Sequence, residues 1–175
     1  FTDGSNSRLR QRLRATESKP DQRKHALLMR GADNHIAMRQ QRTTLTVQTE
    51  PYAFHDISRE VQAAVADAGV RDGVCHLFIR HTTASLLLQE NYDPSVRHDL
   101  ARFMARLVPE GDDYAHAIEG RDDMPAHIRS ALTSVSESIP AADGELLLGR
   151  WQGIYLWEHR THPHTRRIHV PIAGD

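Results

Sequence analysis

Gly73-Val74-Cys75-His76-Leu77-Phe78-Ile79 is the stretch on which the reading of the fold turns. It is a nearly unbroken apolar run, opened by a glycine and followed by the polar segment Arg80-His81-Thr82-Thr83. Seven residues are too few for a buried helix. The run therefore predicts a central strand covered on both faces, delivering His81 at its C-terminal end. Upstream, residues 44–49 (Thr-Leu-Thr-Val-Gln-Thr) alternate with period two, as a half-buried strand does. Between the two, Asp56 is placed to cap a helix whose apolar residues Ile57, Val61, Ala64, Val65 and Ala68 recur on one face, with Gly69 to stop it. Downstream, Asp93-Pro94 supplies an N-cap and a first-turn proline for a second helix. Its expected buried stripe is Val96, Leu100, Phe103, Met104 and Leu107. Leu86-Leu87-Leu88 reads as a buried turn ahead of that helix, and Gln89-Glu90-Asn91 as a polar lining. A short helix is expected over 125–132.

The last third reads as β, with short strands over 135–139, 145–148, 153–157 and 167–172 separated by Gly, Pro and Asp turns. Clustered strands with clustered helices define an α+β fold. The expectation is one domain, residues 41–175, with a mixed, mostly antiparallel sheet and helices packed on it. Residues 1–40 differ: Arg8, Arg10, Arg12, Arg14, Arg23 and Arg30 fall among few large apolar residues. They read as a flexible basic extension, with Met38 as the start of the native chain.

Composition excludes several classes. A chain of 175 residues with formal net charge −1 has no global pull toward nucleic acid or an anionic membrane. The one cysteine, Cys75, excludes an intrachain disulfide framework and suits a reducing cytoplasm. No apolar run approaches the roughly 20 residues of a membrane span. The unusual number is twelve histidines, and their local arrangement decides what they mean.

The densest arrangement is His116-Ala-Ile-Glu119-Gly-Arg-Asp122-Asp123-Met-Pro-Ala-His127. Two imidazoles bracket three carboxylates, and glycine and proline interrupt any regular element between them. Imidazole and carboxylate together suit a divalent metal, zinc if histidine dominates the donor set and magnesium if oxygen and substrate phosphate do. The plain alternative is that Asp123 caps the next helix while His127 points to water. His81, Thr82 and Thr83 end the central strand, where a ligand can approach. Trp151-Gln152-Gly153 offers a ring to stack on a substrate heterocycle and an amide to meet its edge. Of Arg166 and Arg167, alternation turns one inward, where it requires a phosphate or a carboxylate. Ser85 lacks a nucleophile elbow, and His159, His162 and His164 read as a polar hairpin loop. The three segments around His81, His116–His127 and Trp151 are expected to form one site.

His81-Thr82-Thr83-Ala84-Ser85, Gln89-Glu90-Asn91 with Asp93-Pro94, Tyr114-x-His116, Glu119-Gly120, Asp122-Asp123-Met124-Pro125-Ala126-His127, Gly144-x-Leu146 and Leu148-Gly149-x-Trp151-Gln152-Gly153-Ile154 occur in this order. Together they resemble the YjbQ-like family, whose members are described as secondary thiamine-phosphate synthases; the likeness spans about 41–172. The resemblance implies a homotrimer that joins a pyrimidine methyl diphosphate to a thiazole phosphate and releases pyrophosphate. It implies His81, Glu119 and His127 as catalytic groups and His81, His116 and His127 as metal ligands. Thr82, Thr83, Asn91, Trp151, Gln152 and Arg166 would line the substrate. The family pattern often has a small residue at the positions of Tyr92 and Arg150. Two competing expectations are a metal-dependent phosphoester hydrolase using the same histidines and a non-catalytic trimeric module binding a small metabolite or a protein partner.

Overall fold

The computed structural model describes residues 38–111 and 113–175. The basic extension expected over 1–40 lies outside them as far as residue 37. In chain order the elements are β1 (Arg39–Gln48), β2 (Phe54–Asp56), α1 (Ser58–Ala68), β3 (Asp72–Ile79), β4 (Ala84–Glu90), α2 (Pro94–Leu107), α3 (Asp123–Leu132), β5 (Ser136–Ala142), β6 (Glu145–Leu146), β7 (Gln152–Glu158) and β8 (Thr165–Gly174). The fold is α+β. Its strands form two sheets instead of the one expected, five strands in the order β1-β8-β3-β5-β6 and three in the order β2-β7-β4. Every strand pairing among the described residues is antiparallel.

The core lies between these sheets and α1. Cys75, Leu77 and Ile79 of β3, with Ile168, Val170 and Ile172 of β8, face Leu86 of β4, Ile154 and Leu156 of β7, and Val61 and Val65 of α1. Burial of each such side chain stabilises the fold by about 2 kcal/mol. α1 starts one residue later than expected, with Ile57 at the N-cap. Asp56 still serves its first turn, accepting from the Ser58 backbone N–H at 2.9 Å. Gly69 closes the helix in the left-handed conformation, at φ +60°.

Four expectations are corrected. β3 is central but covered on one face only: Val74 and Phe78 are 45% and 43% exposed. The intruding Val, His and Phe alternate strictly with the core residues, so the apolar run conceals a period of two. Residues 84–90, read as a turn and a lining, are a strand whose register against β7 runs from Ala84↔Glu158 to Glu90↔Gln152. Three consecutive leucines carry no period, which is why pattern alone missed it. β1 begins at Arg39, because β8 continues to Gly174 and offers partners along its whole length. The stripe on α2 is not buried: Phe103 and Leu107 are 54% and 55% exposed. The N-cap there is as expected, Asp93 accepting from the Ser95 N–H at 2.8 Å.

The sheet admits no side chain where β3 meets the end of β8. A Cβ added at Gly73 would lie 2.4 Å from the Ala173 carbonyl oxygen, and one at Gly174 would lie 2.4 Å from the Asp72 carbonyl oxygen. Both obstacles are backbone. Gly73→Ala is expected to cost about 2 kcal/mol and to lower the melting temperature by about 6 °C in a thermal scan. An unchanged midpoint would show that the two strands part freely.

Candidate metal and phosphate site

Arg160, just past the C-terminal end of β7, organises the loop that carries the acidic motif. Its Nε donates to Asp122 Oδ2 at 2.9 Å, its Nη1 to Asp123 Oδ1 at 2.5 Å, and its Nη2 to the Glu119 carbonyl at 2.9 Å. Gly120, at φ +120°, makes the bend that lets one guanidinium reach all three. Asp122 also accepts from the Thr161 backbone N–H and hydroxyl. Burial pushes the Asp122 carboxyl up, but these donors outweigh it and bring it down to about 2 from 3.8. A carboxyl depressed in the folded state stabilises above its unfolded value and ceases to as pH falls through its folded one. Asp122→Asn should therefore be less stable than the parent by about 2 kcal/mol at neutral pH. The gap should close between about pH 4 and pH 2 in acid-unfolding curves. A constant gap across that window would contradict the assignment.

Asp123 opens α3 and is buried. His127, one turn along the same helix, places Nε2 3.7 Å from Asp123 Oδ1, and His116 places Nε2 2.8 Å from Oδ2. The last pair lacks the alignment of a hydrogen bond, so Asp123 Oδ2 is a buried oxygen without a donor among the described residues. The imidazole rings stand 5.3 Å apart, tilted by 71°. His116, Asp123 and His127 each present one ligand atom, all within 4.8 Å of one another. An orphaned carboxylate oxygen beside His116, with the His127 nitrogen reaching the same carboxylate, fits a divalent cation, and two nitrogen donors favour a zinc-type ion over magnesium.

The remaining expected site residues divide. His81 is not brought to the trio. Its Nε2 accepts from the Arg167 backbone N–H at 3.0 Å, and burial, with the Arg166 charge second, lowers its pKa. Thr82 adjoins it in the chain, in the bend before β4. Arg166 is the inward member of its pair, and it has found a carboxylate: Nε and Nη2 clasp Glu158 at 2.7 and 2.5 Å, and Nη2 reaches Thr83 Oγ1 at 3.1 Å. Glu119 is exposed, its carboxylate 3.5 Å from Arg160 Nη1. Asn91, Trp151 and Gln152 lie together elsewhere. Asn91 donates its backbone N–H to the Trp151 carbonyl and its side-chain N–H to the Gln152 carbonyl. Gln152 caps its own turn through Gly149. The Trp151 ring is flanked by Arg150 and Tyr92.

Two of the three segments thus converge on the C-terminal end of β7, where Glu158 and Arg160 serve one each. The third begins β7, whose seven residues separate the two ends by roughly 20 Å. Sequence reading missed Glu158, His159 and Arg160. His159, expected in a hairpin loop, is wholly buried and bonded to Ser85 Oγ at 2.9 Å. The available signal was three polar residues directly continuing the buried run Ile154–Trp157, opposite an acidic loop in need of a cation.

These features define a class: a two-sheet α+β domain whose strand ends support an imidazole–carboxylate cluster on a glycine-hinged acidic loop. The family model for UPF0047 protein YjbQ-like matches residues 43–175, and the chain belongs to that family. A UPF0047 protein of Synechocystis sp. is 52% identical over 138 residues, 78% of this chain and 94% of its own. The UPF0047 protein YjbQ of Escherichia coli O157:H7 is 44% identical over 133 residues, 75% and 96% respectively. Among solved structures, a conserved hypothetical protein of Thermus thermophilus matches with TM-score 0.66 at 37% identity, over 73% of this chain and 97% of its own. A YbjQ-like protein of unknown function from Sulfolobus solfataricus shares the fold, with TM-score 0.73 at 24% identity over 79% of this chain and 99% of its own. No helix among the described residues is long and apolar enough to cross a membrane.

Proposed function

We propose that the chain is a metal-dependent enzyme acting on the phosphate end of a small phosphorylated metabolite, with His116, Asp123 and His127 holding a zinc-type ion. The reaction the family resemblance offers is transfer of a pyrimidine methyl group from its diphosphate to a thiazole phosphate, with loss of pyrophosphate. The observation that carries the proposal is the buried, donorless Asp123 Oδ2 beside His116 Nε2, with His127 Nε2 within 4.8 Å of the same group of ligand atoms. When bound, a divalent ion supplies positive charge beside the departing phosphate oxygens. Arg160 holds the loop rigid by occupying Asp122 and one oxygen of Asp123, leaving the other oxygen free. Transfer to a thiazole nitrogen releases no proton and asks for no base, whereas in hydrolysis Glu119, exposed on that loop, would accept the proton of the attacking water.

Hydrolysis of a phosphoester is the second reading, and the distance of Trp151 from the trio favours it: the ring that would stack on a substrate lies at the far end of β7 from the metal ligands. A homotrimer would answer this by bringing a neighbour's ring to the site. The surface such an assembly would cover is the open face of the five-stranded sheet, with Val74 and Phe78 exposed on it. The test is product analysis with purified protein, zinc or magnesium, and both synthetic phosphates. Thiamine phosphate with equimolar pyrophosphate supports transfer. Inorganic phosphate released from either substrate alone supports hydrolysis. Saturable binding without turnover would leave only a binding module.

A further inference from the structure

A cavity of about 320 Å³ lies between α2 and the face of the three-stranded sheet that turns away from the core. Of the apolar stripe expected on α2, Met104 lines this cavity. Ala101, Met104 and Ala105 of α2 form one wall and Trp157 another. None of His116, Asp123 and His127 lines it, so a ligand there is independent of the proposed metal centre. The volume is at the lower end of that of small-molecule sites.

The polar groups of the cavity are unusual in two respects. His159 is wholly buried and Arg129 is 6% exposed, yet His159 Nδ1 and Arg129 Nε have no hydrogen-bond partner among the described residues. Each group is held at another point: His159 Nε2 pairs with Ser85 Oγ at 2.9 Å, Arg129 Nη2 donates to the Val108 carbonyl at 2.8 Å, and the Arg129 guanidinium stands 5.4 Å from the centroid of the Tyr52 ring. No described carboxylate forms an ion pair with Arg129. The one carboxylate lining the cavity, Glu110, is engaged by the Tyr52 hydroxyl. Arg102 adds a second guanidinium to the lining, so positive charge exceeds negative there. A buried guanidinium without a counter-charge is costly and calls for an anion.

We propose that this cavity binds a small apolar monocarboxylate, its hydrocarbon or aryl body against Met104, Ala101 and Trp157 and its carboxylate on Arg129 Nε and His159 Nδ1. Geometry orders the donors. When Ser85 donates its hydroxyl proton to Nε2, the neutral imidazole carries its own proton on Nδ1 and offers it to the ligand. Burial, with the Arg129 charge second, pushes the His159 pKa down to about 3, which keeps the ring neutral. A carboxylate has two oxygens and can accept from both nitrogens. Phosphates are a poorer fit, because the walls are apolar and would desolvate a dianion without replacing its water.

The experiment is calorimetric titration of the full chain with benzoate and, separately, with benzamide, its neutral isostere. Benzoate should bind with a dissociation constant on the order of 1 mM, as its size allows. Benzamide should bind at least about tenfold more weakly. Arg129→Gln should weaken benzoate by a similar factor and leave benzamide little changed. Because Arg129→Gln removes a buried bond to Val108 and can unsettle the fold, Ala101→Trp is the companion variant: its indole fills the cavity from the α2 wall and should abolish binding of both. Equal affinities for benzoate and benzamide overturn the carboxylate assignment. Absence of saturable benzoate binding at about 10 mM, or binding undiminished in Ala101→Trp, overturns the site.

Discussion

Asp123→Asn should lose its divalent metal, with affinity lower by at least about 100-fold, while His81→Ala should retain it. Removing an outer partner of a ligand already costs about 10- to 100-fold in metal affinity, and Asp123 would be a ligand itself, contributing the only full charge of the trio. Asparagine keeps the side-chain volume and the oxygen that Arg160 holds, so the fold has little reason to fail. What changes is the oxygen facing His116, which has no donor in the parent and becomes neutral or an NH2 group in the variant. His127→Ala should behave as Asp123→Asn does. Turnover should fall with the metal, by roughly 10³-fold if one charge-stabilising element is lost. Metal content after dialysis against trace metal, with melting temperature measured in parallel, separates ligand loss from unfolding. Wild-type stoichiometry in Asp123→Asn, or loss of metal in His81→Ala, would put the site elsewhere. The second result would restore the expectation that His81 completes a three-histidine set.

That expectation shows where sequence reading reaches its limit. The helices were legible because their ends carry local chemistry: Asp93-Pro94 and Gly69 mark α2 and α1 whatever surrounds them. The outer strands were legible through alternation and turns. β4 was not, since Leu86-Leu87-Leu88 has no period and its strand character comes from β7, a partner distant in the chain. At the site, the density of imidazoles and carboxylates over residues 116–127 marked the segment that brings His116, Asp123 and His127 together, and the i,i+4 relation of Asp123 and His127 emerges once α3 starts at Asp123. The grouping of His81 and Trp151 with it rested on order along the chain. Order along the chain does not carry distance, and β7 separates Trp151 from Arg160 by its own length. Arg160, the residue that assembles the acidic loop, stands alone in the sequence and declares nothing until three acceptors surround it.

Arg166→Met is expected to be the most destabilising of these substitutions, by about 3–5 kcal/mol, the cost of stranding one partner of a buried ion pair. Glu158 is wholly buried and satisfied at both oxygens. Oε1 accepts from Arg166 Nη2 and from the backbone N–H groups of His159 and Arg160, the latter two at 3.1 Å; Oε2 accepts from Arg166 Nε and from Thr49 Oγ1. Burial pushes the Glu158 carboxyl up, but the Arg166 and Thr49 donors outweigh it, and its pKa lies below the ordinary value. Without Arg166 that balance reverses. The carboxyl then rises above its unfolded value, so the variant gains relative stability as pH falls through the raised pKa, whereas the parent, with a depressed carboxyl, gains nothing. The deficit of Arg166→Met should therefore be largest near neutral pH and narrow in acid, read from denaturant midpoints across pH. The pair Glu158→Met with Arg166→Met should recover only part of the loss, because removing Glu158 takes the acceptor from the Arg160 N–H. A full recovery would mean that the pair stabilises nothing beyond its own charges. The same N–H gives the network its reach: Glu158 fixes the backbone of Arg160, and Arg160 fixes Asp122 and Asp123. Arg166→Met should thus weaken metal binding without touching a ligand, and the size of that effect measures how far the ends of β7 and β8 hold the site in place.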